Sequence, residues 1–414
     1  MTTTVTASDN APKVLISQSG RKGDPGTDGT NGNGFNQVRK SLLDNPLCHL
    51  FKTNKLVDTS APTNTDSDIT FTRASTATYV DRYGIVKTAA VDTIREEKDG
   101  FLIEQAGTNL LPYSEAFDNA GWNKFNATVI TPNVTTSPDG TVNASKLDFG
   151  NSADYLQEVI PNTTAGSFTL SIWIKSTGAD RTIRIFLRNS PTSANNSIND
   201  VTVTSEWQRF SVSFESLAET LVVQIIRLEA NLDFYIWGAQ LEQSPSATSY
   251  IPTVGSAVTR LADKALLPAL NNAVTKELSI FGIISNISSS TTGNKFIFSV
   301  PVLSGFLTLY YKADNPNRYI FRYDDGISPV FASVLLSVNL KYFAATVDGS
   351  NITININGTE GSVSKIGDPS VLLADDITFF SYFNSTPAQA SGNIKDFRIY
   401  DFVLNANEIE YLLP

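Results

Sequence analysis

The chain reads as all-β: two antiparallel β-sandwiches after an extended, loop-rich N-terminal segment. Three observations predict this. Short runs of β-branched and aromatic residues recur through residues 109–414, broken by Gly, Asn, Asp and Pro. Where a run is long enough to show a period, the period is two. Phe168, Leu170, Ile172 and Ile174 alternate with Thr169, Ser171, Trp173 and Lys175, so one row faces a core and the other faces away. Helical patterning is scarcely signalled, and 414 residues exceed one ordinary core, so two or three domains are expected.

Composition narrows the function. A net charge of −10 and a pI near 4.8 argue against duplex nucleic acid and against a polybasic membrane contact. The single cysteine, Cys48, rules out an intramolecular disulfide framework. Residues 1–20 lack a basic start followed by an apolar run, so no signal peptide is expected. No stretch approaches the roughly 18 apolar residues of a membrane span, so no insertion is expected.

Taken in order, residues 1–19 are polar and lack a sustained period, and read as an anchor that orders on docking. Residues 20–34 place glycine at every third position, with Gly20, Gly23, Gly26, Gly29 and Gly32 opening the triplets. Collagen-like chains need that spacing because only glycine fits at the axis shared by three strands. Proline occurs once in the run, so a flexible linker stands as the alternative to a trimeric stalk.

Residues 35–108 form a connector. Its apolar residues Leu42, Leu43, Leu47, Leu50 and Phe51 around Asn45-Pro46 suggest two short helical pieces. Cys48 and His49 adjoin, but the chain has no further Cys or His to complete a ligand set, so both are read as packing residues. Residues 77–80 and 85–88, joined by Asp81-Arg82-Tyr83-Gly84, make a β-hairpin, and 100–104 a third strand. Three short strands hold no core alone, so they must pack on another body.

Residues 109–252 are the first sandwich, with strands expected at 167–175, 182–187, 208–214, 221–228 and 233–237. Residues 253–276 link onward, with 261–271 read as helical. Residues 277–414 are the second sandwich, with strands at 280–284, 295–300, 305–312, 319–323, 342–348, 351–357, 378–383 and 393–400. Asp348-Gly349-Ser350-Asn351 and Asn357-Gly358 read as hairpin turns, and Asn405 as the cap of a short closing helix.

Several phrases resemble a known family. FTRASTATYVDRYGIVKTA (71–89) followed by GFLIEQAGTNLLPYSEAFDNAGW (100–122) resembles a junction segment of bacteriophage tail fibres and other virion appendage proteins. SFTLSIWIK (167–175), SEWQRFSVSF (205–214) and FYIWGAQLEQSPSATSYIPT (234–253) resemble the carbohydrate-binding-module-like jelly roll that follows it there. KYFAATVDGSNITININGT (341–359) and GNIKDFRIYDFVLNANEIEYL (392–412) resemble the laminin-G/concanavalin-like sandwich.

The resemblance implies a phage tail fibre that attaches the particle to bacterial surface polysaccharide. It also implies a homotrimer, an N-terminus docked on other virion proteins, assembly in the host cytoplasm and residence on the virion. A non-receptor appendage of head, collar or baseplate, its sandwiches packed on virion proteins, is the alternative.

Neither catalysis nor a cofactor is expected. With one histidine and no nucleophile motif, the candidate acid pairs Asp324-Asp325 and Asp375-Asp376 sit in turn-like contexts, and adjacent strand residues face opposite ways, so no glycosidase-like carboxylates face each other. Sugar binding needs an aromatic platform with polar groups beside it. Trp173, Trp122, Tyr310 and Tyr323 are the candidates, whereas Trp207 and Trp237 are read as packing residues. Because laminin-G-type relatives bind calcium at a loop rim, Asp324 and Asp325 are the candidates for a structural calcium.

Overall fold

The computed structural model describes residues 43, 48–50, 70–150, 154–161, 163–191, 196–228, 232–267, 273–275, 277–288, 294–302, 305–312, 317–324, 329–335, 340–348, 350–364, 371–373, 377–381 and 390–413. Among the described residues, almost all regular structure is antiparallel strand, arranged as two sandwiches. The glycine triplets at 20–34 lie outside the described residues, as do Asp325, Asp375 and Asp376.

In the first sandwich, one sheet runs in the order Gln208–Ser216, Gly166–Ser176, Leu232–Glu242, Ala144–Phe149, Thr128–Thr135. The facing sheet runs Asn196–Val203, Arg181–Ser190, Thr220–Arg227, Tyr155–Ile160, Asn123–Phe125. The period of two holds. Phe168, Leu170, Ile172 and Ile174 enter the core and meet Ile183, Ile185, Leu187, Val223 and Ile225 from the facing sheet. The five strands expected here are all present. Thr128–Thr135 and Asn196–Val203 carry too few apolar residues, interrupted by Pro, Asn and Asp, for a period to announce them.

The second sandwich draws on both ends of the described chain. One sheet runs Thr359–Ser364, Asn351–Ile356, Tyr342–Val347, Leu278–Ser288, Ser391–Tyr400, Gly100–Ile103, Arg95–Glu97, and Cys48–Leu50 also pairs with Ser391–Tyr400. The other runs Thr70–Thr72, Lys264–Leu267, Ile377–Phe379, Lys295–Val302, Gly305–Lys312, Arg318–Asp324, Val330–Leu335. Phe298, Phe343 and Phe397 sit in its core with Phe101 and Ile103 of the connector. The connector strands therefore belong to this sandwich: Phe101 pairs with Ile394, and Phe71 with Ala265.

The first sandwich is consequently an insertion within the chain of the second. Its entry and exit lie side by side, Gly107–Asn109 pairing antiparallel with Val258–Arg260. Asn109 locks this neck. Its buried side chain donates to the carbonyls of Ala239 (3.1 Å) and Ile251 (2.9 Å) and accepts from the amides of Leu111 (3.1 Å) and Leu241 (3.0 Å).

Two helical expectations are corrected. Within 261–271, Lys264–Leu267 is a strand, because Ala265 and Leu266 are buried between sheet neighbours on either side. In the connector, Cys48–Leu50 is a strand bonded to Ser391–Tyr400, while Leu43 has helical backbone. Leu43 is buried with Tyr400, Leu404 and Ile409, and its carbonyl accepts from the Tyr400 hydroxyl at 3.0 Å.

Local chemistry shapes the remaining features. The helix Ala406–Leu412 starts on a capping box in which the Asn405 side chain accepts from the Glu408 amide and Glu408 accepts from the Asn405 amide. Its Ile409 and Leu412 cover Phe281 and Ala344 on the outer face of the sheet. Asn357 and Gly358, both at positive φ, make the tight return after Asn351–Ile356. The hairpin Ala77–Val80/Val86–Ala89 turns through Asp81, whose carboxylate accepts from the amides of Tyr83 and Ile85.

Candidate functional site

The two sandwiches meet at a buried ionic network. Arg73 follows the strand Thr70–Thr72, Arg95 opens Arg95–Glu97, and Glu104 follows Gly100–Ile103. Arg260 closes Val258–Arg260, and Asp263 precedes Lys264–Leu267. All five side chains are buried. Arg95 bonds Glu104 and Asp263, each at 2.6 Å. Arg73 reaches Asp263 at 3.2 Å, and Arg260 reaches Glu104 at 3.4 Å.

Glu104 also accepts from the Ser249 amide (2.9 Å) and hydroxyl (2.7 Å), so the network grips the first sandwich as well. Burial alone would push the Glu104 carboxyl up. Arg260 and Arg95, with the bonds from Ser249, hold it instead at about 2. Nothing in the local sequence predicts these residues to be buried, since a charged side chain normally reads as solvated. For four of the five the available signal is their place inside short strand-like phrases, FTR, GFLIE and VTRLAD, whereas Arg95 opens the charged run REEKD and carries none.

Beside the network lies an aromatic cluster. Trp173, Trp237 and Tyr250 pack with ring centroids 4.7–5.4 Å apart. Val86 of the hairpin packs against them, its amide donating to the Pro138 carbonyl at 2.9 Å. The Thr78 hydroxyl donates to the carbonyl of Tyr250. Over Trp173 lies the Arg209 guanidinium, 4.4 Å from the ring centroid, held by the Thr248 carbonyl (2.8 Å) and the Ser171 hydroxyl (2.9 Å).

These contacts correct the expected platform residues. Trp173 does project away from its own core, as the period requires, but the hairpin and Arg209 cover it and leave it 6% exposed. Trp122 is a core residue beside Phe117, its indole N–H donating to the Tyr113 carbonyl at 2.8 Å. Tyr323 faces the second core, and Tyr310 is buried with its ring 5.6 Å from that of Phe296. None of the four presents a ring face to solvent. Asp324 is buried and ion-paired to Arg322, which already supplies its counter-charge. Among the described residues, no group of three or more His, Cys, Asp or Glu is placed to hold a metal ion.

The candidate surface is elsewhere, on the outer face of the sheet Asn196–Val203 to Asn123–Phe125. Residues that alternate with its core row stand outward, and the strand register sets them in cross-strand rows. One row reads Asp200, Arg184, Ile226, Tyr155, Phe125; the next reads Ile198, Phe186, Gln224, Gln157, Asn123. Phe125 and Tyr155 are stacked with centroids 4.1 Å apart and planes 22° apart. Gln224 donates to Gln157 at 2.8 Å, and Arg184 grips Asp200 through two bonds of 2.7 and 2.8 Å.

Phe125 and Ile198 are exposed, Tyr155, Gln157 and Phe186 half-buried, and Gln224 buried at the centre. This face joins flat apolar rings to fixed amides and one guanidinium–carboxylate pair. Such a surface can take the C–H face of a pyranose while bonding its hydroxyls. Sequence reasoning passed over it because it holds no tryptophan. Its best signal is the alternating pattern of RTIRIFLRNS, which puts Arg184, Phe186 and Arg188 on one side.

No protein-family model and no curated protein sequence matches the chain. Among solved structures, the chain is similar to the CBM22-1 xylan-binding domain of Paenibacillus barcinonensis Xyn10C, at 10% identity and a TM-score of 0.26. That likeness covers 33% of this chain and 96% of the other. The CBM22-1–CBM22-2 tandem of the same protein is similar at 9% identity and a TM-score of 0.29, over 71% of this chain and 98% of the tandem. Domains LG4-5 of the mouse laminin α1 chain are similar at 11% identity and a TM-score of 0.24, over 67% of this chain and 92% of theirs. Identities and TM-scores this low carry no inference about a ligand.

Proposed function

We propose that the chain is a non-enzymatic glycan-binding protein whose contact surface is the free outer face of the first sandwich. The observation that carries this reading is the stacked Phe125–Tyr155 pair set in register beside the Gln157–Gln224 amide pair and Phe186. Phe186 lies about 5 Å from Gln224 across neighbouring strands and Tyr155 about 7 Å from Gln157 along its own strand, close enough to engage one sugar ring from its apolar and polar sides together.

The finer reading is a homotrimeric phage tail fibre that attaches the virion to bacterial surface polysaccharide. It is supported by the sequence resemblance of residues 71–122 and 234–253 and by the glycine triplets at 20–34. Three weak sites on one particle raise the effective concentration of each, so modest individual affinity suffices for attachment.

The test is binding of the full chain to an array of purified bacterial capsule and outer-membrane polysaccharides. Saturable binding weakened about 10-fold by Phe186→Ala or Tyr155→Ala is expected, the effect of removing one well-placed ring. A folded chain that binds no polysaccharide, or binding indifferent to both substitutions, would move the reading to a structural appendage.

A further inference from the structure

A cleft opens where hairpin, first sandwich and second sandwich meet, with a volume of about 210 Å³. Its walls come from three parts of the chain: Val80 and Glu97 in the connector, Arg209 and Thr248 in the first sandwich, Asn286 and Asn393 in the second. At ~30 Å³ per water, this is space for about seven waters. One sugar ring fits that volume.

The walls are pre-set. Glu104 lines the cleft and is tied to Arg95 and Arg260, so the surfaces are positioned before a ligand arrives. A rigid site spares the entropy of ordering its own side chains. The donor and acceptor pattern is equally defined. Glu97 accepts from the Val80 amide through one carboxylate oxygen and from the Asn393 side chain through the other, both at 3.0 Å. The Asn286 amide in turn donates to Asn393 at 3.0 Å.

A carboxylate offers about four acceptor positions, so two protein bonds leave Glu97 able to receive hydroxyl donors. Burial raises its carboxyl from the ordinary range, against the bonds from Val80 and Asn393 that favour the charge. Such a group disfavours an anionic ligand and favours a neutral one rich in O–H donors. Stacking on Trp173 is not available, because the Arg209 guanidinium occupies its face.

We propose that this cleft is a second binding site, which takes a single neutral sugar ring, such as the end residue of a glycan, through hydrogen bonds from its hydroxyls to Glu97 and Asn393. The choice of a sugar as ligand rests on the glycan-binding reading above, whereas the site is distinct from the free sheet face.

The test titrates the full chain with the methyl glycosides of glucose, galactose and N-acetylglucosamine, read by saturation-transfer NMR and calorimetry. Saturable binding of at least one glycoside is expected. Glu97→Gln, which keeps shape but removes charge and one acceptor, should weaken it about 10-fold. Ser288→Trp should abolish it by filling the cleft, with Val80→Trp as a second plug at an exposed lining residue should the first variant not fold. The titrations are made in the Phe186→Ala background, so that the free face's own share is weakened and the cleft's is read.

If no glycoside binds while the free face still holds polysaccharide, the cleft site is overturned and the general reading stands. If neither binds, both fall. Glycoside binding that survives a folded plug variant also overturns the assignment.

Discussion

Replacing Asp263 with alanine is expected to destabilise the junction by about 4 kcal/mol, and the structure shows why. The network contains three guanidiniums, of Arg73, Arg95 and Arg260, against two carboxylates, of Glu104 and Asp263, all buried. Removing Asp263 leaves three cations facing one carboxylate away from water. Breaking a buried pair by deleting one partner costs roughly 3–5 kcal/mol, because the remaining charge stays buried.

The substitution also strands the Glu104 amide, which donates to Asp263 at 2.7 Å, at a further cost of about 1 kcal/mol. Retained bonds soften the loss. Arg73 keeps the carbonyls of Ser75, Ala90 and Thr93, and Arg95 keeps Glu104 and the Thr78 carbonyl. At about 2–4 °C per kcal/mol for a unit of this size, the melting point of the second sandwich should fall by roughly 10 °C. Calorimetry reads this directly, and the transition of the first sandwich, whose core holds none of these residues, should move little. As control, Asp200→Asn breaks an exposed pair with Arg184 and should cost under about 1 kcal/mol. An Asp263→Ala chain melting within 2 °C or so of wild type would refute the claim that this network holds the junction.

Two further predictions follow from other parts of the fold. Glu158 is 6% exposed, one of its carboxylate oxygens has no partner, and burial raises its carboxyl to about 7. With the folded value above the ordinary 4.5, the stability it contributes is present below about pH 4.5 and lost as pH rises through about 7. Glu158→Gln should therefore stabilise the first sandwich at pH 8 by up to about 3 kcal/mol and flatten its pH profile between 5 and 8; urea melts across that range check it. Because Asn109 pairs directly with Val258, joining them by a short Asn-Gly turn in place of residues 110–257 should leave a soluble second sandwich that melts cooperatively. An aggregated or non-cooperative product would show that the inserted sandwich is needed for the other to fold.

Strand identity, and which side of a strand faces inward, belong to the sequence alone wherever a run is long enough. The alternation at 168–175 set Phe168 and Ile172 in the core and Trp173 outside it. Turn and cap chemistry was equally local: Asp348 and Asn405 act within a few residues of themselves, and Gly358 supplies the positive φ of its own turn. What packs on an outward face is not local. Trp173 is buried by Val86, carried on a hairpin nearly ninety residues earlier, so parity predicted its direction but not its cover.

The partnership of the connector with the second sandwich was hidden for the same reason. Phe101 and Ile394 become neighbours only when the intervening sandwich closes on itself and brings residues 107–109 beside 258–260. Five charged side chains looked like surface residues because one charge is costly to bury alone. Only the tertiary fold places opposite charges within 2.6–3.4 Å of each other, and that proximity offsets the cost of removing them from water.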